Sequence, residues 1–161
     1  MSQWNALLRL AISETYHEDK LKKQQKQIQF TQSSLGSSPL HFAVLGQNMN
    51  TVQFLLPHSD VDIANDYNET PLHWACRTGN SLIVSTLIAN GADINFQDSE
   101  KNTPLHWAAE EGHQHIYKML KKAGANSNAK NMNHQTPKAL LSENRKNKGV
   151  RNVLSKLSFV V

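Results

Sequence analysis

Thr70-Pro71-Leu72-His73-Trp74-Ala75 returns almost unchanged as Thr103-Pro104-Leu105-His106-Trp107-Ala108. Looser copies stand at Ser38-Pro39-Leu40-His41-Phe42-Ala43 and at Thr136-Pro137-Lys138-Ala139. The four prolines, Pro39, Pro71, Pro104 and Pro137, are spaced by 32, 33 and 33 residues. Self-similarity at such a period means stacked units, none of which buries its apolar side alone. It decides the architecture before any local reading.

Working outward from the hexapeptide, the copies stay in register. After Thr70 come Gly79, Leu82-Ile83-Val84, Leu87-Ile88 and Asn90-Gly91-Ala92-Asp93-Ile94-Asn95. After Thr103 come Gly112-His113, Ile116, Met119-Leu120 and Ala123-Gly124-Ala125-Asn126-Ser127-Asn128. On these elements the sequence resembles the ankyrin-repeat family. The resemblance implies an all-α ankyrin solenoid of helix–turn–helix repeats with β-turn fingers, at about 33–64, 65–96, 97–129 and 130–161. Residues 1–32 read as an N-terminal helical capping segment. Within it, residues 2–15 carry Trp4, Leu7, Leu8, Ala11 and Ile12 at helical spacing, and 17–29 are Lys/Gln-rich.

Within each repeat the chemistry is local. Thr at the N-cap followed by Pro at the first helical position starts an inner helix, since a missing N–H costs nothing there. Gly79 is set to reverse the chain, Ser81 to cap the second outer helix and Gly91 to end it. Leu72, Trp74 and Ala75 are expected to face the stack. In the first repeat Pro57-His58-Ser59-Asp60 stands where the later copies have Gly-Ala. That predicts a distorted turn there and, counting from Asp62, a shortened finger before Thr70. In the fourth, Val150, Val153, Leu154 and Leu157 predict a last outer stripe, with Lys138, Lys146, Lys148, Arg151 and Lys156 keeping the end polar.

Several constellations suggest chemistry and are read as scaffold. His41, His73 and His106 recur one repeat apart, but stacked helices are about 8–10 Å apart. Zinc takes its nitrogens at about 2.0–2.1 Å, so the three cannot share an ion. The family resemblance implies local hydrogen bonds that brace the turn. Trp74 and Trp107 read as large residues between repeats that stack on one another, rather than as a ligand platform. Cys76 is the single cysteine, inside a helix with no base placed for it, so it reads as a small buried thiol and no intrachain disulfide forms. No phosphate loop, paired-cysteine motif, zincin motif or triad grouping is present. The sequence therefore points to no enzyme and no cofactor.

Charge is unevenly distributed. The net +4 divides into +2 over residues 1–37, −7 over 38–117 and +9 over 118–161. Such asymmetry speaks to partners and association rates, not to fold. No run of eighteen apolar residues exists, so no membrane span is expected. Ala6–Ile12 is broken by Arg9 and reads as an amphipathic helix, not a signal core. The basic C-terminal end raises nucleic acid or acidic membrane as an alternative, but its basic residues are not interleaved with aromatics and a polar cap accounts for them. Phe159-Val160-Val161 has the spacing some PDZ domains accept, but reads rather as a frayed chain end or cap packing.

What remains is the surface such repeats use for recognition. The resemblance implies contacts from the fingers before each Thr-Pro and from exposed inner-helix positions, on the concave side. By register the candidates are Tyr67, Glu69, Glu100, Asn102 and Met132 on fingers, and Arg77, Glu110 and Glu111 on inner helices. The centre is acidic, with Tyr67 and Met132 as apolar anchors. The function expected is a non-catalytic adaptor, monomeric and cytoplasmic, binding a protein with a basic or mixed surface. Richness in Lys, Asn and Gln also fits a secreted bacterial effector acting on a host protein through the same surface.

Overall fold

In this computed structural model, the described residues are 35–144. Three inner helices, α1 (Pro39–Leu45), α3 (Pro71–Thr78) and α5 (Pro104–Glu110), alternate with three outer helices, α2 (Met49–Leu55), α4 (Ser81–Ala89) and α6 (Gln114–Lys122). A fourth inner helix begins at Pro137 and is described to residue 144. The inner helices pack side by side, α1 on α3 and α3 on α5, and each packs on its own outer helix. There is no strand among the described residues. The readings made for residues 1–32, for Val150, Val153, Leu154 and Leu157, for Lys146, Lys148, Arg151 and Lys156, and for Phe159-Val160-Val161 lie outside them.

The core is a column repeated once per unit. Leu40, Leu72 and Leu105 are fully buried, as are Ala43, Ala75 and Ala108. Leu55, Leu87 and Leu120 close it from the outer helices. Each such leucine contributes about 1.5–3 kcal/mol, but only when the neighbouring unit covers it. Thr70 and Thr103 sit at N-caps with Pro71 and Pro104 behind them, as their order in sequence requires. The outer-helix cap differs from expectation. Asn80, not Ser81, is the N-cap of α4, and its side-chain oxygen accepts from the N–H groups of Leu82 and Ile83. An amide oxygen one residue earlier reaches two of the orphan donors.

The first repeat is irregular, though not where its finger was concerned. After α2 the chain passes through a 3₁₀ turn, Leu56–His58, with Pro57 inside it, so the distorted turn is present. The finger is full length. Asp62 accepts from the Asp93 N–H, as Asn95 accepts from the Asn126 N–H. Asp62 therefore corresponds to Asn95, and Asp60, whose carboxylate accepts from the Asp62 N–H, corresponds to Asp93. The residue missing from the 32-residue spacing was lost from the turn, where a 3₁₀ bend replaces a glycine C-cap.

Candidate functional site

Each finger is built on one buried side chain. Asn65, Asp98 and Asn131 occupy equivalent places and are all buried. The Asn65 side-chain oxygen accepts from the N–H groups of Tyr67 and Glu69. Asp98 does so for Glu100 and Asn102, and Asn131 for Asn133 and Gln135. A backbone pair, Asn65 N–H to Glu69 O and its equivalents, closes the loop. Turn residues Asn68, Lys101 and His134 take φ of 60°, 61° and 59°. The fingers are linked in series, with Asp66 N–H donating to Leu35 O, Ser99 N–H to Tyr67 O and Met132 N–H to Glu100 O. Finger tips are thus fixed relative to one another, a precondition for a binding surface with low ordering cost.

The three histidines tie fingers to helices. His73 Nδ1 accepts from the Thr70 backbone N–H at 3.1 Å and lies 2.9 Å from the Thr70 hydroxyl. A backbone N–H only donates, so the ring proton is on Nε2. Nε2–H then donates to Asn102 O of the next repeat at 3.1 Å. His41 does the same between Ser38 and Glu69 O, and His106 between Thr103 and Gln135 O. The bracing is therefore between repeats as well as within one. Burial holds all three in the neutral form, with His41 lowered to about 4. With both ring nitrogens in use they have no lone pair for a metal. Among the described residues no group of three or more His, Cys, Asp or Glu is placed to hold an ion. Cys76 is fully buried, and burial pushes its thiol up, away from thiolate character.

Trp74 and Trp107 pack between repeats as expected, but with other partners. They do not stack on one another, and neither is fully buried. Trp74 meets His41 and Phe42 edge-on, with centroids 5.1 and 5.8 Å away. Trp107 meets His73 at 5.8 Å. Their polar ends explain the placement. Trp74 Nε1–H donates to Glu69 at 2.8 Å and Trp107 Nε1–H to Asp98 at 2.9 Å. Each indole is half-buried, packed against the core and the rings of the preceding repeat, with its N–H turned to a carboxylate of its own finger.

A cavity of about 230 Å³ opens where the second and third fingers meet α3 and α5. Tyr67, Glu69, Glu100 and Asn102 line it from the fingers, and Arg77, Glu110 and Glu111 from the helices. Seven of the eight expected contact residues therefore converge there. Met132 does not, standing exposed on the next finger. Of three further lining residues, Ser99 stands at a finger position by register, while Asp98 and Trp107 escaped the sequence reading. Asp98 and Trp107 were legible only as scaffold, and no periodic signal shows that their contact forms a wall. Asn102 is buried, its side chain bonded to Asp98, Glu100 and Asn131, so it supports the wall and offers little free surface. Glu69 is engaged too, accepting from Trp74 and from Asn65. Glu100, Glu110 and Glu111 are exposed. The guanidinium of Arg77 lies 5.3 Å above the Trp107 ring and 3.6 Å from Glu111.

Of the basic C-terminal end, Lys121 and Lys122 sit exposed in the last turn of α6, and everything beyond residue 144 lies outside the described part. Among the described residues no helix is long and apolar enough to cross a membrane.

Comparison with known proteins agrees with the periodic architecture. A family model described as ankyrin repeats in three copies matches residues 5–98. A single-repeat ankyrin model matches residues 100–132. Over 59 residues the chain is 41% identical to palmitoyltransferase AKR1 of Lachancea kluyveri, covering 35% of this chain and 8% of that protein. Over 58 residues it is 38% identical to palmitoyltransferase ZDHHC13 of Homo sapiens, covering 35% and 9%. The mouse protein of that name matches to the same extent. The chain thus spans under a tenth of the length of these curated relatives.

Proposed function

The chain belongs to the ankyrin-repeat family, and on that premise we propose that it is a non-catalytic adaptor that binds a partner protein through its fingers and inner helices. Ankyrin repeats generally mediate protein–protein interaction. The observation that carries the finer reading is the convergence of Tyr67, Glu100, Glu110 and Glu111 with Arg77 and Trp107 on one cavity. Five carboxylates and one guanidinium line it, so it favours a partner with a basic or mixed surface. The transferase activity named in the relatives is not carried over, since the match covers 8–9% of their length.

The test is a comparison of proteins captured from lysate by the wild-type chain and by a variant with Glu100→Lys, Glu110→Lys and Glu111→Lys. Glu69 is left alone because it also braces Trp74. The reading expects a set of captured proteins to be lost with the variant while its melting temperature is unchanged. An unchanged set would remove this surface from the function.

A further inference from the structure

We infer that the cavity between the second and third fingers is a receptor for one arginine side chain of the partner, for which Arg77 is the chain's own placeholder. The inference rests on the adaptor reading and narrows it to a ligand chemistry. At about 230 Å³ the cavity is below the ~300 Å³ at which small-molecule pockets begin. One long side chain fits it.

Its walls select a planar cation. Trp107 supplies an aromatic face that cannot swing away, because its Nε1–H is bonded to Asp98, which is buried and in turn holds Glu100 and Asn102 by their backbone N–H groups. Around that face stand the exposed carboxylates of Glu100, Glu110 and Glu111. Low-dielectric walls around charges of one sign focus the potential inside a cleft. A guanidinium combines stacking on an indole with forked donation to carboxylates, which a lysine ammonium cannot do. The chain demonstrates the fit itself, with Arg77 over Trp107 at 5.3 Å and against Glu111 at 3.6 Å. That pairing is exposed on both sides and screened by solvent, so Arg77 is readily displaced. Its register partners are Leu45 and Glu110, one repeat to either side, so the cation is particular to this unit.

The experiment is an NMR titration of the full chain, following the indole N–H of Trp107, with three Gly/Ser decapeptides carrying a central arginine, lysine or citrulline. The arginine peptide should move the Trp107 signal saturably, several-fold more tightly than lysine, with citrulline inert. Glu100→Gln with Glu110→Gln should weaken it, by about twofold to fivefold per carboxylate removed. Arg77→Gln should tighten it by a similar factor, because it removes the competitor. A merely structural Arg77 predicts no gain. Equal shifts with arginine and citrulline, equal affinity for arginine and lysine, or weaker binding by Arg77→Gln would each overturn the inference. If the peptides fail while lysate capture still depends on Glu100, Glu110 and Glu111, the arginine receptor falls and the adaptor reading stands.

Discussion

Each of the three buried histidines holds two backbone groups from different places, and both ring nitrogens are needed for it. Removing the His73 ring leaves the Thr70 N–H and the Asn102 carbonyl without that partner, and it opens a void in the stack. His73→Ala should therefore lose on the order of 2–4 kcal/mol in urea unfolding. The same burial makes stability depend on pH in a definite direction. His41 is lowered from 6.5 to about 4 in the fold, so the unfolded chain takes up a proton first. Stability is complete above about pH 6.5 and falls as pH drops toward 4, by on the order of 3 kcal/mol for His41 alone. Thermal melts between those limits should show a steep decline; a flat profile would mean that the rings are not held neutral. At this scale the sequence allowed the histidines to be placed as braces by resemblance. It did not disclose that Nε2 reaches the following repeat, because that partner is 28–29 residues away.

The helical elements follow from order along the chain, and their junctions do not. Thr-Pro fixed every described inner-helix start after the first, where Ser38-Pro39 does the same. Turn chemistry was legible where glycine stands, as at Gly79 with φ 83°. A Cβ there would come within 2.6 Å of the His113 ring, so Gly79→Ala should cost roughly 1–2 kcal/mol or more. In the first repeat Gly46 lies one position early with φ −74°, and Gln47 takes the left-handed place at φ 53°. Gln47→Gly should stabilise the chain by about 1 kcal/mol, read as a rise in melting temperature. The left-handed conformation of Lys101 was not legible at all, since nothing about lysine favours it. It is imposed by the finger that Asp98 holds closed. The finger before Thr70 was misjudged for a related reason: Asp60 and Asp62 are the same residue type two apart, and only the hydrogen bond to Asp93 tells which of them keeps register.

For the whole molecule, charge and periodicity act on different things. The repeats make a scaffold in which each unit is stable only against its neighbours, and the acidic middle sets what can approach it. Partner association through that middle should weaken as salt rises past physiological strength, where the Debye length is about 8 Å. An association rate indifferent to salt would argue for the exposed apolar tips, Leu35, Tyr67 and Met132, as the main contact. The sequence by itself determined the solenoid, its period, its inner-helix starts and the list of variable, surface-lying positions, because these depend on spacing and local chemistry. The tertiary structure decided which of those positions meet. It left the two tryptophans half-buried between repeats by giving each indole N–H a carboxylate, and it buried Asn102. It also brought Arg77 over Trp107, thirty residues apart in the chain, into a cavity that only stacking creates.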